Sequence, residues 1–559
     1  MIGLIPRVDS GSWRTVCGHE DLRKDHARLE LFTRRGAPSS SLRKWFRHGP
    51  ALWAEFPSRY LLHSTRRPIW FVRSSRSLRV GIHSVLCSNG RNPHQCVLPV
   101  QVLHETQNEG RMTPTLPPMQ TTSRHLTPLL PVRSVRSIEA YKSGGGGQAL
   151  AKALATPPEF IIAEVKRAGL RGRGGAGFPT GLKWASVAHD PCPTKYLVCN
   201  AAEGEPGTFK DRFLMRKNPY QLLEGIAIAA YAINARKAFI GIKESFYVEI
   251  AAIQRALSEM VTAGFLAGIP IELTLGPEDY LFGEEKALLE VIEGGEAMPR
   301  EAALPPYVLG LFVRDPSQLN PTVVNNVETL SNIPRIIREG AEMFRSCGTR
   351  SSPGTMVFTV SGDVRRPGLY ELSLGTPLEE LINEHAGGIK AGRRLKAIFS
   401  GLSNAVILPD SLDTPLDFDA LQSIGSGIGS GGFIVYDDSA SMVQVAQLFS
   451  KFLSTESCGQ CTACKLGTTQ ATDHLLKLTE GTGNELDVEY ALEGSAMAPQ
   501  GNRCYLPVQH SLLVPSIVRN FASEFQRAFN RGCSSERRMF LPKMIDFDEA
   551  THTFRYAEG

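Results

Sequence analysis

The sequence predicts a multidomain α/β protein: a layered α/β domain, then a smaller β-rich domain, then an all-helical one. Three observations predict it. Over residues 137–350, amphipathic helical patterns alternate with short apolar runs flanked by turn residues. From Thr355, β-branched residues alternate with turns, and from about residue 439 the apolar spacing is mostly helical. A chain of 559 residues is long enough for several cores, and 42% hydrophobic with 21% charged residues is a soluble globular balance. No uncharged apolar run reaches the roughly 18 residues of a spanning helix, so the protein is expected at a membrane only through partners.

Residues 1–136 stand apart. They carry 21 Lys+Arg against 8 Asp+Glu, which leaves 40 against 48 for the rest, so the basic balance belongs to this segment alone. A nucleic-acid function drawn from net charge would therefore be misplaced for the main body. Three readings stay open for the segment. Its Arg, Ser and Pro content suits an organellar transit peptide, although it is very long for one. Trp45, Trp53 and Trp70 among the arginines suit a basic arm for nucleic acid or an acidic partner. It is otherwise an upstream extension without native structure, with translation starting at Met112 or Met119.

The predicted domains are 137–350 (α/β), 351–438 (β-rich), 439–530 (helical) and a tail, 531–559. Gly144–Gly147 make a hinge. PPEFIIAEVKRAGL opens on Pro and stops at Gly169, as a helix does. KYLVCNAAEGEPG and KAFIGIK read as buried strands, and YVEIAAIQRALSEMVTAG as an amphipathic helix. In the β-rich domain, GTMVFTVSGDVRRPGLYEL and RLKAIFSGLSNAVILP supply strands, PLEELINEHAGG reads as one helix, and SIGSGIGSGGFIVYD is a Gly-rich turn into a strand.

Four segments carry chemistry. RGRGGAGFPTGLKW holds a G-x-G-x-x-G (Gly172, Gly174, Gly177) that lets backbone N–H groups approach a phosphate, with Arg173 and Lys183 for charge and Phe178 as a flat surface. A dinucleotide fingerprint should follow a strand, whereas a helix precedes this one, and a flexible loop is the plain alternative. Glu203 and Glu205 follow a buried strand, where parallel sheets bind ligands; an ordinary acidic turn explains them as well. Gly283, Glu284 and Glu285 open a helix, a placement that capping alone accounts for. Cys458, Cys461 and Cys464 are spaced to hold three corners of an iron–sulfur cluster, with Cys504 or Cys533 left for the fourth. Zinc is the rival occupant, but structural zinc sites usually take separated pairs. The remaining cysteines are single, and eleven so unevenly placed do not form a disulfide framework. Metalloprotease, P-loop and serine-hydrolase motifs are missing from the sequence.

Taken in order, these motifs resemble the NADH-binding flavoprotein subunit of respiratory complex I (the 51-kDa type). The module is shared with NAD-reducing hydrogenases and NAD-dependent formate dehydrogenases, and the resemblance spans about residues 137–530. It implies a Rossmann-like FMN- and NADH-binding domain, a β-grasp-like (SLBB-type) domain and a helical iron–sulfur domain. By motif match, Gly172, Arg173, Gly174 and Lys183 contact FMN, with Asn325 and Asn326 at its phosphate. Asn200, Tyr280, Gly283 and Glu284 line its ring or ribityl side, and Glu203 joins the cofactor-binding set. Phe178, Glu205 and Glu285 contact NADH, Tyr307 offers adenine an aromatic face, and Cys458, Cys461, Cys464 and Cys504 hold a [4Fe–4S] cluster. The chain departs from the family at Ala202, where aspartate is expected, at Ser186, where an aromatic is usual, and in the sequence around Cys504.

The resemblance implies hydride transfer from NADH to FMN and single electrons passed to the cluster for a larger redox complex. A thioredoxin-like [2Fe–2S] subunit is the expected neighbour, and no nucleic acid is expected. Ala202 and Ser186 favour the alternative, an iron–sulfur relay or assembly subunit that no longer oxidises NADH. The location implied is cytoplasmic or peripheral to an inner membrane, and the mitochondrial matrix if the N-terminal segment is a transit peptide.

Overall fold

A computed structural model describes residues 126 and 128–557, apart from 267, 302–308, 314–318 and 534–536. The readings of residues 1–125 and of Tyr307 fall outside the described residues.

Four short strands, β1 (Tyr196–Ala201), β2 (Lys237–Lys243), β3 (Ile271–Gly276) and β4 (Thr322–Asn326), form a sheet in the order β3-β2-β1-β4. Every pairing is parallel, with Asn200 of β1 opposite Gly241 of β2 and Asn326 of β4. Successive side chains on a strand point to opposite faces, and both faces here are covered. Leu197, Cys199, Ala238 and Ile240 enter the large core with Leu223, Ile226 and Ile253 of the helices Pro219–Ala232 and Tyr247–Thr262. Val198, Phe239 and Val324 meet Leu288 and Leu289 of the helix Glu285–Ile292 on the other side. This explains why β1 and β2 read as nearly unbroken apolar runs. The helix Pro158–Ala168 begins at Pro and ends at Gly169 with φ 70°, as its punctuation predicts.

The next sheet comprises β5 (Thr355–Gly362), β6 (Gly368–Ser373), β7 (Leu395–Ser400) and β8 (Gly432–Asp437), in the order β6-β5-β8-β7. β5 and β8 are parallel in the middle, and the outer pairings are antiparallel. One helical segment packs Leu378, Leu381 and Ile382 into the core with Phe358 and Phe433, the β-grasp-like arrangement. PLEELINEHAGG is less regular than predicted: its second half, Leu381–His385, widens into a π-turn in which Ala386 N donates to Leu381 O at 2.9 Å.

The helices Met442–Thr455, Thr462–Glu480, Glu485–Met497 and Leu506–Asn520, followed by the short Ala522–Ala528, form the third region. Its core joins Val445, Phe449 and Leu453 to Leu475, Leu513 and Ile517. Among the described residues, no helix is long and apolar enough to cross a membrane.

Two stretches beyond the predicted domains are also ordered. Upstream of residue 137, Leu129 and Leu130 are buried, and their N–H groups donate to Glu371 Oε2 at 2.7 and 3.0 Å. Past residue 530, β9 (Met544–Asp548) and β10 (Thr553–Tyr556) form an antiparallel hairpin where a tail was expected. Its Phe547 and Phe554 pack edge-on against Phe213 and Phe209 of the first domain. Alternation puts both rings on one face of the ribbon, a short strand signal easily lost in a charged sequence.

Candidate functional site

A cavity of about 1240 Å³ opens at the carboxyl ends of β1 and β4. The chain leaves β1 toward β2 on one side and meets β4 on the other, so this is the switch point where open parallel sheets bind ligands. The volume exceeds that of an ordinary single-ligand pocket.

The Gly-rich loop forms one wall. An antiparallel bridge between Arg171 and Pro179 closes it, and Gly172 N donates to Phe178 O at 2.9 Å. Gly177 has φ +62°, and a Cβ there would lie 2.6 Å from the Phe418 ring; one on Gly174 would lie 3.1 Å from Asn326 Cβ. Both positions need glycine, the first for conformation and contact, the second for close approach. Phe178 stands half exposed at the rim. Lys183 donates to Val324 O at 2.9 Å and pairs with Glu285, so two residues predicted to touch different ligands touch each other.

Arg173 is not brought to this wall. It is fully buried, donating to Pro353 O at 3.2 Å and Thr355 O at 3.0 Å, which fastens the loop to the β-grasp-like domain. Arg171 lines the cavity, paired with Asp419 at 2.8 Å and stacked on Phe418 at 4.5 Å. Sequence spacing could not choose between the two arginines, because the partners that decide it lie about 180 and 248 residues downstream.

The segment after β1 makes the floor. Asn200 Nδ2 donates to Gly283 O at 2.7 Å, tying it to the turn Tyr280–Gly283. Glu203 accepts from the N–H groups of Asp211 and Arg212, both at 3.1 Å. Burial, with Asp211 adding, pushes its carboxyl up to about 8. Glu205 is held by Leu402 N at 3.0 Å, by Ser430 Oγ at 2.8 Å and by Ser403 Oγ; burial raises its carboxyl and these donors restrain the rise. Glu284 caps the helix Glu285–Ile292 through Lys286 N and Ala287 N at 2.9 and 3.0 Å while lining the cavity, and burial raises it too. Asn325 accepts from Trp184 Nε1 at 2.7 Å. Asn326 caps the helix Val327–Ser331 and donates to Asp211 Oδ2 at 2.6 Å.

Beneath this floor lies a charge cluster that sequence reasoning missed. Lys210, fully buried, pairs with Asp211 at 2.8 Å and Glu328 at 3.0 Å. Burial opposes its charge, but Asp211, Glu328 and Glu203 outweigh that and hold the ammonium above the usual lysine range. Lys210 and Asp211 stand three and four residues past Gly207 of EGEPG; in sequence they look like a polar helix start.

A second, small enclosed cavity is lined by Cys458, Cys461, Cys464 and Cys504. Cys461 stands at the N-cap of the helix Thr462–Glu480 and Cys464 in its first turn, while Cys504 lies just ahead of the helix Leu506–Asn520. Both helix dipoles thus present their positive ends to sulfur. Arg503 N donates to Cys461 Sγ at 3.4 Å and Gln460 Nε2 to Cys458 Sγ at 3.5 Å. Burial raises the Cys464 thiol and pushes Cys504 up to about 12. Cys533 does not line this cavity. Among the described residues, no three His, Cys, Asp or Glu side chains are gathered as a single metal ion requires. Four sulfurs around one enclosed space fit a multi-iron cluster, and the Gly-lined cleft fits a flavin nucleotide with room for a second nucleotide. Leu281, Cys504 and Leu506 line both cavities, so one wall separates the two sites.

A nucleotide cleft at a parallel-sheet switch point beside four clustered thiols defines the class: an iron–sulfur flavoprotein. Residues 165–335 match the family described as the Nuo51 FMN-binding domain, 357–403 the SLBB domain, and 444–528 the NADH-ubiquinone oxidoreductase-F iron-sulfur binding region. The F 2 subunit of NADH-quinone oxidoreductase from Rhizobium meliloti (strain 1021) is 41% identical over 399 residues, covering 69% of this chain and 93% of that protein. The F subunit of NADH-quinone oxidoreductase from Rickettsia typhi is 40% identical over 384 residues, 66% and 88% of the two chains. Among solved structures, an NAD+-reducing [NiFe]-hydrogenase in the H2-reduced state superposes with a TM-score of 0.64 at 32% identity, over 71% of this chain and 68% of that one. This protein belongs to the family of NADH-quinone oxidoreductase F subunits.

Proposed function

We propose that this chain is the electron-input subunit of a larger redox complex, oxidising NADH in the cleft and passing electrons to a [4Fe–4S] cluster on Cys458, Cys461, Cys464 and Cys504. FMN, when bound, supplies the step from hydride acceptance to release of single electrons. The observation that supports the reading is the wall of Leu281, Cys504 and Leu506 shared by the two cavities, so that the proposed cluster would lie one wall from the cleft.

The protein's own work is to bind, orient and exclude water. Gly172, Gly174 and the Asn325–Asn326 end of β4 bring backbone close to a phosphorylated cofactor, with Lys183 as the cation. Asn200, Tyr280, Gly283, Glu284 and Glu203 shape the side of the cleft toward the cluster. Arg173 acts from behind by fixing the loop. Phe178 at the rim suits a stacked ring of NADH, and Glu205 and Glu285 suit its hydroxyl-bearing parts. The functional units are 137–350, 351–438 and 439–530, with the strands past 530 completing the first. Redox partner subunits take the electrons onward, a thioredoxin-like [2Fe–2S] subunit being the neighbour proposed. The protein works in the cytoplasm or the matrix and meets a membrane through those partners. A relay that has lost NADH oxidation is not favoured, because the FMN-binding family matches residues 165–335 alongside the iron–sulfur region at 444–528.

The test is the visible spectrum of the anaerobically purified holoprotein before and after NADH. Bleaching of both flavin and cluster absorbance is expected, and Cys504→Ser should keep the flavin change while losing the cluster. A bound flavin that NADH does not bleach would overturn the assignment.

A further inference from the structure

Glu205 is connected to the cluster-bearing helix by side chains from three domains. Ser403, in the loop after β7, donates to Glu205 Oε1 and accepts from Gln509 Nε2 at 2.8 Å. Gln509 is buried on the helix Leu506–Asn520, five residues past Cys504, and its Nε2 also lies 3.0 Å from the Tyr280 hydroxyl. Tyr280 in turn packs edge-on against Phe452 and donates its N–H to Glu456 Oε2 at 2.9 Å. Ser430, from the Gly-rich turn before β8, holds the other Glu205 oxygen at 2.8 Å and contacts Thr208 Oγ1 at 2.9 Å. All five of Glu205, Ser403, Gln509, Tyr280 and Ser430 line the large cavity.

We infer that Ser403 and Gln509 are positioning residues for NADH, fixing the Glu205 carboxylate and the Tyr280 ring so that nucleotide-site geometry is set from the iron–sulfur domain. The physical reason is geometric. A carboxylate side chain has several rotatable bonds, and an acceptor facing an open cleft adopts one orientation only if donors on other elements hold it. Without the Ser403 hydroxyl, Oε1 keeps only the Leu402 N–H at 3.0 Å and Oε2 only Ser430 at 2.8 Å, so the carboxylate loses one of its three donors and the one that ties it to the iron–sulfur domain. Ser403 can donate to Glu205 because Gln509 fills its acceptor side; a hydroxyl has one proton, and Gln509 determines where it points. Gln509 is likewise shared between Ser403 and Tyr280, so one amide on the cluster-bearing helix registers two walls of the cleft. The inference rests on Glu205 contacting NADH, and the test separates the two.

The experiment is a double-mutant cycle on the full-length holoprotein, with Glu205→Gln, Ser403→Ala, Gln509→Leu and the pairwise combinations. NADH Kd, KM and kcat are measured beside flavin content and cluster absorbance. Loss of the hydrogen bond to the Glu205 carboxylate predicts about a ten-fold rise in NADH Kd for Ser403→Ala, and loss of the neutral bond that orients Ser403 a smaller one, about three-fold, for Gln509→Leu, with bound flavin and cluster unchanged. In the Glu205→Gln background Ser403→Ala should add less than about two-fold, and Ser403→Thr should restore near-normal affinity. If Glu205→Gln leaves NADH Kd unchanged, the contact between Glu205 and NADH is wrong. If Glu205→Gln weakens NADH but the Ser403 and Gln509 effects multiply fully with it, the positioning role is wrong. A variant that loses flavin or cluster in parallel with affinity would make the residues structural and overturn the proposal equally.

Discussion

Replacing Lys210 by methionine removes the cation that, among the described residues, pairs directly with the buried carboxylates under the cleft floor. Lys210 and Glu328 are fully buried and Asp211 nearly so, with the ammonium 2.8 Å from Asp211, 3.0 Å from Glu328 and 3.5 Å from Asn326 Oδ1. Breaking a buried pair by deleting one partner costs about 3–5 kcal/mol, because the other charge is left without compensation. Here two carboxylates, Asp211 and Glu328, lose their partner at once, so the upper half of that range applies. Glu328 also accepts from Val357 N of β5 at 2.9 Å, so the loss reaches the junction with the β-grasp-like domain. For a domain of this size each kcal/mol moves the unfolding midpoint by about 2–4 °C, which predicts a drop of roughly 8–20 °C. The assay is thermal unfolding followed by far-UV circular dichroism, with bound flavin measured on the same samples. Adding Glu328→Gln to the Lys210→Met variant should recover a large part of the loss, since it removes a stranded charge. A midpoint within about 2 °C of wild type in the single variant would refute the reasoning.

Two further outcomes follow from the site. Gly177→Ala places a side chain at φ +62° and a Cβ 2.6 Å from Phe418; strain of about 1–2 kcal/mol predicts roughly ten-fold weaker flavin binding, and an unchanged flavin dissociation constant would count against the loop's assigned role. Glu203 keeps its proton up to about pH 8 when folded, whereas an unfolded glutamate releases it near its ordinary value. The folded state therefore holds the extra proton between about pH 4.5 and 8, and stability falls as pH rises through that window, by at most about 1.4 kcal/mol per pH unit. Glu203→Gln should flatten the unfolding midpoint against pH over that interval, and a slope equal to wild type would sink the idea.

Much of this was legible in the chain itself, for a physical reason. Parallel strands buried on both faces must be apolar throughout, so KYLVCN and KAFIGIK announce themselves. Cysteines three residues apart have few other uses, and Gly169 stops its helix as glycine usually does. What escaped are features whose meaning lies far along the chain. Arg171 and Arg173 differ only in which distant groups they meet. The carboxylate of Glu205 is oriented by side chains nearly 200 and 225 residues later. Lys210 looks like a solvated helix start until the fold closes over it. The hairpin past residue 530 was expected as tail because each strand is only four or five residues long and three of their nine residues are charged.

That hairpin has a consequence for synthesis. Asp546 on β9 pairs with Arg216 at 2.6 Å, 330 residues earlier, and Phe547 and Phe554 complete a layer begun by Phe209 and Phe213. At about 5–20 residues per second, the ribosome needs roughly 16–66 s to travel that distance. Throughout that interval the nascent first domain exposes the aromatic patch its last strands will cover, while the loop carrying Glu205 lacks the Pro542 carbonyl that receives Gly207 N at 2.9 Å. The hairpin Met544–Tyr556 thus acts as a latch on a domain made some 330 residues earlier, and translation itself orders the assembly: an open flavin domain first, a sealed one only after the hairpin has emerged.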